Sequence, residues 1–473
     1  MSNPITLNSD FNNLLGKQSI PIGLAIMFLI LTFGLIAFGT IGENYYISIA
    51  VFATIPLVFL MIRYPRFWIY TILITNIYFF YSRDKEVSVV EILIAIQYLG
   101  TLAIWFFWEI LVKREKIIRN IADLFFMFFL FIVILNGVIA YLNSVEMLYW
   151  AREAANLSLV SIYFPIRKYF PEKKHLKVLL IIYSIVVTVS SFLHLYTYSK
   201  VLQGDLYYAY QLMQGIRVNQ TLFTAAAVFG FVFALYNKNK IITVLLILFT
   251  SISVIGLITS FSRTFWVILL AQLVLVIFYL TGKQRVKLLI YSLIAIIILS
   301  STLFFAFEEK SKVMVKLIEN RFVSAGKGTK DISVQARFAE YEQVWKGIYQ
   351  YPLGGNGLAR KFDFWNILDS QTTHARFIHN GYLFIMFRMG IPVLIVFLIP
   401  YFYYLVIGER LARKSKDEFF RLLSIGSFMA ILLMLISNFT AAQLIQREAV
   451  FVTALAFAFI GIASDKQKSE VIE

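Results

Sequence analysis

Long apolar runs separated by short basic turns make up most of this chain, and one long polar stretch interrupts them. The runs cover about 20–40, 45–62, 66–82, 88–112, 121–142, 146–165, 175–197, 218–236, 241–259, 262–280, 286–306, 381–407, 419–437 and 446–464. Each approaches or exceeds the roughly 17–25 residues that cross hydrocarbon as a helix. The two-residue alternation of barrel strands is absent. The pattern predicts an all-α, polytopic integral membrane protein with about 12–14 transmembrane helices. Along the chain it predicts a tail over 1–19, helices one to eleven over 20–306, a large loop over 307–378, helices twelve to fourteen over 379–464, and a second tail over 465–473.

Composition agrees with that class. Hydrophobic residues make up 60% of the chain and mean hydropathy is +0.76, beyond the apolar share of about half in soluble domains. There is no cysteine, which excludes disulfides, thiol nucleophiles and thiolate metal sites. Pro21 opens the first apolar run with no small-residue cleavage site in view, so that run is expected to be a retained span rather than a removed signal.

The net charge of +16 would suit nucleic acid if it were clustered on a soluble face. Instead the cations fill alternate turns: Arg63 and Arg66; Lys113, Arg114, Lys116 and Arg119; Arg167 to Lys177; Lys238 and Lys240; Lys283 to Lys287; and Arg410 to Arg421. The other set of turns is poor in them, holding Arg83, Lys85, Lys200, Arg217, Arg263 and Arg447 outside the long loop. By the positive-inside rule both termini are cytoplasmic and the long loop faces out. The basic turns then sit near anionic headgroups, and no nucleic-acid partner is required.

Charged residues inside spans are costly and usually face protein or a water-filled cavity. Arg217 opens the eighth span, Arg263 sits at the junction of the ninth and tenth, Arg152 and Glu153 lie in the sixth, and Arg388 lies in the twelfth. One such arginine near a helix end can simply snorkel to its headgroup. A set of outward guanidiniums on a face otherwise poor in cations suits a phosphate-bearing ligand, because the planar fork binds phosphate oxygens bidentately.

Within the loop, Asp331 or Ser333 can cap a helix through about Gln350. Phe338, Tyr341, Trp345 and Ile348 recur there at helical spacing, an aromatic face able to lie on a membrane surface, with Arg337 at its edge. Pro352 and Gly354-Gly355-Asn356-Gly357 end that helix. A plain turn is the favoured use of the glycines over a phosphate cradle, since no Lys-Ser/Thr follows as in a P-loop. His374 and His379 lack paired ligands at metal spacing, so no metal site and no cofactor are expected.

A continuous helix from His379 to Ile407 would be roughly 43 Å long, more than the roughly 30 Å of hydrocarbon, so its first residues would project to the outer interface. That places the His379 imidazole beside Arg376, with Asn380 next and Tyr382 one turn on. Histidine can act there as a general base toward a hydroxyl; the alternative is an interfacial residue that only caps the helix. Glu43, Glu340 and Glu342 rank below it as bases.

Taken in order, these features resemble the O-antigen ligase/polymerase superfamily of bacterial membrane glycosyltransferases. The resemblance rests on Arg217 with Asn219; Ser262-Arg263; Arg337, Tyr341 and Trp345 followed by Pro352, Gly354 and Gly357; and His379 to Leu383 followed by Gly390 to Pro392. It covers about residues 210–465.

The resemblance implies transfer of a glycan from undecaprenyl diphosphate to an acceptor sugar hydroxyl at the outer face of the bacterial inner membrane. His379 would deprotonate the acceptor, and Arg217, Arg263 and Arg337 would hold the donor diphosphate, with Arg376, Tyr382, Arg388 and Asn380 secondary. It implies a metal-independent, inverting displacement. The implied partners are the lipid-linked donor, a glycan or lipid-linked acceptor, membrane lipids, and a chain-length regulator and flippase of the same pathway. A polymerase extending lipid-linked repeats is favoured over a ligase passing finished glycan to lipid A-core or another acceptor. A lipid-linked oligosaccharide flippase is a further alternative, although repeated halves typical of transporters are missing.

Overall fold

The structure, a computed structural model, describes residues 55–81, 89–203, 219–307, 319, 332–367 and 370–472. Its helices include α1 (Pro65–Tyr81), α2 (Val89–Phe107, followed by a π turn at Trp108–Val112), α3 (Ile121–Leu142), α4 (Met147–Ser158), α5 (Tyr163–Tyr169), α6 (Lys173–Gln203), α7 (Gln220–Tyr236), α8 (Lys240–Thr259), α9 (Arg263–Ile277), α10 (Gly282–Phe307) and α11 (Ile332–Gln350). A two-stranded antiparallel hairpin, β1 (Phe362–Asn366) and β2 (Gln371–Ala375), follows. The chain closes with α12 (Gly381–Met389), α13 (Ile391–Lys414), α14 (Glu418–Ser437) and α15 (Arg447–Ile472). The chain is thus an all-α, polytopic membrane protein with almost no strand.

Six helical segments are long and apolar enough to cross a membrane among the described residues: Ile121–Leu142, Lys173–Thr197, Lys240–Thr259, Ile391–Lys414, Glu418–Ser437 and Arg447–Ser469. The expected run at 20–40 lies outside the described residues. Two other expected spans are not single helices. The run at 146–165 passes from α4 through a 3-10 turn at Leu159–Ile162 into α5. The run at 381–407 is broken at Gly390, whose φ of 95° suits glycine and is costly for other residues.

Burial sorts the helices into a centre and a rim. In the α15 segment, 89% of the apolar window is buried inside the protein, against 33% for α3. Outward residues of α3 such as Phe131, Ile134 and Val138 are more than half exposed, as are Ile241, Val244 and Leu245 of α8. A belt of that kind needs hydrocarbon around it. Small residues let the inner helices approach closely: α7 carries Ala225, Ala226 and Ala227, all buried, and a Cβ on Gly426 of α14 would lie 2.4 Å from the Phe229 ring of α7.

One end of the bundle is tied by a buried ion network. Arg167 pairs with Asp123 at 3.0 Å and with Asp465 at 2.7 Å, while Arg119 reaches Asp465 at 2.9 Å. The Tyr163 and Tyr404 hydroxyls donate to Asp123 at 2.9 and 2.8 Å. Four helices (α3, α5, α13 and α15) and the turn before α3 therefore meet on two carboxylates at the end that carries the basic turns. Satisfied partners are what permit an Asp123 side chain that is fully buried.

Candidate active site

At the opposite end, the 351–361 segment docks into the break between α12 and α13. Breaking a helix frees carbonyls that a membrane cannot hydrate. Here Asn356 N–H donates to Phe387 O at 2.8 Å, Gly357 N–H to Arg388 O at 2.9 Å, and Ile391 N–H to Pro352 O at 2.8 Å. Asn136, buried within α3, adds a donor to Arg388 O at 3.1 Å and accepts Leu358 N–H at 2.7 Å. A Cβ on Gly355 would stand 2.4 Å from the Arg388 backbone, so only glycine permits this approach. The glycine cluster is a docking turn: the N–H groups of Gly355, Asn356 and Gly357 are all bonded to carbonyls and cannot cradle phosphate.

Above that joint, α11 buries the stripe Ala336, Glu340, Val344 and Ile348, packed against α12 and β1. This differs from the expected aromatic face. Phe338 and Trp345 are exposed, Tyr341 is half-buried and Ile348 is fully buried. Hydropathy could not assign the buried face correctly because one of its four members is a carboxylate.

Glu340 is only 2% exposed, and both its oxygens are used by His379. Oε1 accepts the His379 backbone N–H at 2.7 Å, and Oε2 lies 2.7 Å from the imidazole Nδ1. A carboxylate only accepts, so it selects the Nδ1–H tautomer and leaves the lone pair on Nε2. Nε2 has no hydrogen-bond partner among the described residues, and the side chain is 42% exposed. The Phe377 ring meets the imidazole edge-on at 5.0 Å and limits its rotation.

The two residues after His379 fix where α12 begins. The Asn380 side chain accepts from the N–H groups of Tyr382 and Leu383 at 2.9 and 3.1 Å, a standard N-cap. Helix capping thus falls to Asn380, while the His379 ring is held from α11. Gly381 N–H donates to Asn438 O at 2.8 Å, and a Cβ there would lie 2.1 Å from Asn438 Oδ1.

The remaining candidates occupy distinct places. Arg376 Nη2 pairs with Glu146 at 3.1 Å and its guanidinium stacks 3.5 Å over the Tyr149 ring. The Tyr382 hydroxyl donates to Leu435 O at 2.5 Å. Arg388 is fully buried: it donates to the carbonyls of Arg360 and Arg376 and lies 3.7 Å from Glu153, which also accepts Ala359 N–H at 2.6 Å. Its guanidinium holds the loop rather than opening on a cavity, because a charge in that apolar layer must spend its donors on protein.

Arg337 stands half-buried one turn before Tyr341 and forms no ion pair or hydrogen bond among the described residues. Burial pushes the Tyr341 phenol up to about 12, with Arg337 opposing. Arg263 opens α9 half-buried, at the same end of the bundle. Arg217 and Glu43 lie outside the described residues, while Asn219 caps the start of α7 in a left-handed conformation, 1% exposed, with neither side-chain polar atom bonded. His374 pairs across the hairpin with Asp363 at 2.6 Å. Among the described residues, no three His, Asp or Glu side chains stand together as a metal-binding group.

The sequence offered Glu340 only as a base ranking below His379; its hold on the His379 backbone and ring is what the pattern did not reveal. The signal for Glu340 was a lone acid on the otherwise apolar stripe of α11, three and four residues from the flanking Arg337, Ala336 and Val344.

A family model described as O-antigen ligase matches residues 245–398, about a third of the chain, from α8 into α13. The matched region holds Arg263, Arg337, Glu340, the docking turn and His379, and it supports the O-antigen ligase-related superfamily as the family of this chain. No curated protein matches the chain.

Proposed function

We propose that this chain, placed by residues 245–398 in the O-antigen ligase-related superfamily of surface-polysaccharide enzymes, is a membrane glycosyltransferase that moves a glycan from undecaprenyl diphosphate to an acceptor sugar hydroxyl. The observation carrying this reading is the Glu340-held imidazole, whose Nε2 is open at the end of the bundle away from the basic turns.

In the proposed step, Nε2 takes the proton of the acceptor hydroxyl as its oxygen attacks the anomeric carbon. The bond from that carbon to the donor phosphate oxygen breaks, its electron pair stays on the diphosphate, and undecaprenyl diphosphate departs. Arg217, Arg263 and Arg337 stabilise the growing negative charge, a role that fixed cations fill without a metal. A single displacement inverts the anomeric centre. On this reading the membrane is the bacterial inner membrane, and the positive-inside count favours this end facing out of the cytoplasm with both termini inside.

Polymerase activity is the favoured form. Purified protein given lipid-linked repeat units alone should yield a ladder of longer chains. If nothing reacts until a second acceptor lipid is added, the chain is a ligase. If neither mixture reacts, or the His379→Ala variant reacts as fast as the parent protein, the transferase reading is wrong.

A further inference from the structure

A cavity of about 630 Å³ lies between α6, α7, α8 and α14, at the basic end of the bundle and far along the helices from His379. Its walls are apolar and aromatic, with Phe229, Phe233 and Phe249 among them. Ile181 and Ile242 in its lining are 59% and 47% exposed, on the lipid-facing belt. From Lys177 to Ser184 the α6 wall runs two helical turns, about 10 Å.

The rim at the bundle end is polar. Lys177 and Lys238 line it, and the Arg421 guanidinium lies 5.2 Å over the ring of Tyr236, another lining residue. Among the described residues none of these three cations forms an ion pair, and the buried Arg421 Nε has no hydrogen-bond partner. Cations one turn away behave differently: Lys173 pairs with Asp417, and Lys174 pairs with Glu172 at 3.1 Å. Among the described residues Glu418 is the one carboxylate in the lining, so the rim keeps a positive excess.

We propose that this crevice binds an anionic glycerophospholipid of the adjoining leaflet. One acyl chain enters between the phenylalanines past the exposed Ile181 and Ile242, and the phosphate sits among Lys177, Lys238 and Arg421. An apolar chamber of this size fits an alkyl chain, and phosphate oxygens fit two ammonium groups and an arginine fork. The site does not depend on the transfer chemistry, because it lies at the other end of the bundle.

The test uses the full-length protein purified in detergent and exchanged into either phosphatidylglycerol or phosphatidylcholine, with retained lipid measured by native mass spectrometry. One phosphatidylglycerol should be retained in preference to phosphatidylcholine. The Lys177→Gln/Lys238→Gln variant should bind it at least about fivefold more weakly, in line with the attraction of basic side chains for anionic headgroups. A Lys283→Gln/Lys287→Gln variant removes the same charge elsewhere on this end and should bind normally. Ser184→Trp fills the chamber with every cation kept, and should lose the lipid while its thermal unfolding in detergent stays close to that of the parent. Equal retention of the two lipids, or equal loss in both lysine variants, overturns the proposal. So does full binding by Ser184→Trp.

Discussion

Glu340 and His379 are joined twice: one carboxylate takes both the backbone N–H and the ring Nδ1 of the histidine, each at 2.7 Å. The two contacts fix position and tautomer together, and neither alone would do both. Replacing His379 with Ala should lower glycan transfer by about 10²–10⁴-fold, the usual contribution of a positioned base. Glu340→Gln keeps the shape but presents an N–H₂ to one of the two donors, so a large loss with donor binding intact is expected. Assaying purified variants for chain growth at saturating donor checks both. Wild-type turnover in Glu340→Gln would dissociate the acid from the site.

Arg388 and Glu153 form a buried pair that locks the loop to α12 and α4. Arg388→Met leaves Glu153 uncompensated and should destabilise the fold by about 3–5 kcal/mol. Adding Glu153→Gln should recover part of that loss. Thermal unfolding in detergent reads the difference; equal unfolding temperatures for the single and double variants would show the two side chains to be uncoupled.

Gly355 sits at φ +70° against the Arg388 backbone. Gly355→Ala must push the docking turn off the α12–α13 break, at a cost of about 1–3 kcal/mol for the strained backbone alone. Protease cutting within 351–361 should be slow in the parent protein and fast in the variant. Unchanged cutting would mean the turn tolerates the extra carbon.

Asp417 caps α14 through the N–H groups of Phe419 and Phe420 and pairs with Lys173. Burial raises its carboxyl, but Lys173 and the two N–H groups outweigh burial and hold it below the ordinary carboxylate value. The unfolded pKa is about 3.9 and the folded one is lower. The stabilisation is therefore fully present above about pH 4 and is lost as pH falls through the depressed folded value. Asp417→Asn should remove that acid-limb dependence and keep the cap, whereas Asp417→Ala should cost about 1 kcal/mol more. Unfolding curves between pH 7 and pH 3 separate the two variants, and parallel curves for parent and Asp417→Asn would contradict the assignment.

Much of the architecture was legible because hydropathy is additive along a helix. The runs at 121–142, 241–259 and 419–437 return as α3, α8 and α14 within a residue or two. Breaks were harder. Gly390-Ile391-Pro392 is a helix-stopping signal, yet apolar residues on both sides made 381–407 look like one rod. The hairpin at 362–375 escaped notice because five-residue strands in a polar loop carry too little alternation.

At the site, His379 stood out by its place just ahead of an apolar run, Arg263 by being a cation at a turn short of them, and Arg337 by its place at the edge of an aromatic helix face and in the family's motif. Asn380 looked like a secondary ligand and proves to be a helix cap. Arg388 looked like an outward arginine, but its partners come from residues far apart in sequence.

By itself, the sequence determined that the chain lives in a membrane, which turns are basic, and where its polar loop lies, since each follows from the summed transfer energy of neighbouring residues. Only the tertiary structure decided which charges are spoken for. Glu340 meets His379 across 39 residues of chain and Arg167 meets Asp465 across 298. Pairing at such separations depends on how whole helices pack, and local pattern carries no record of it.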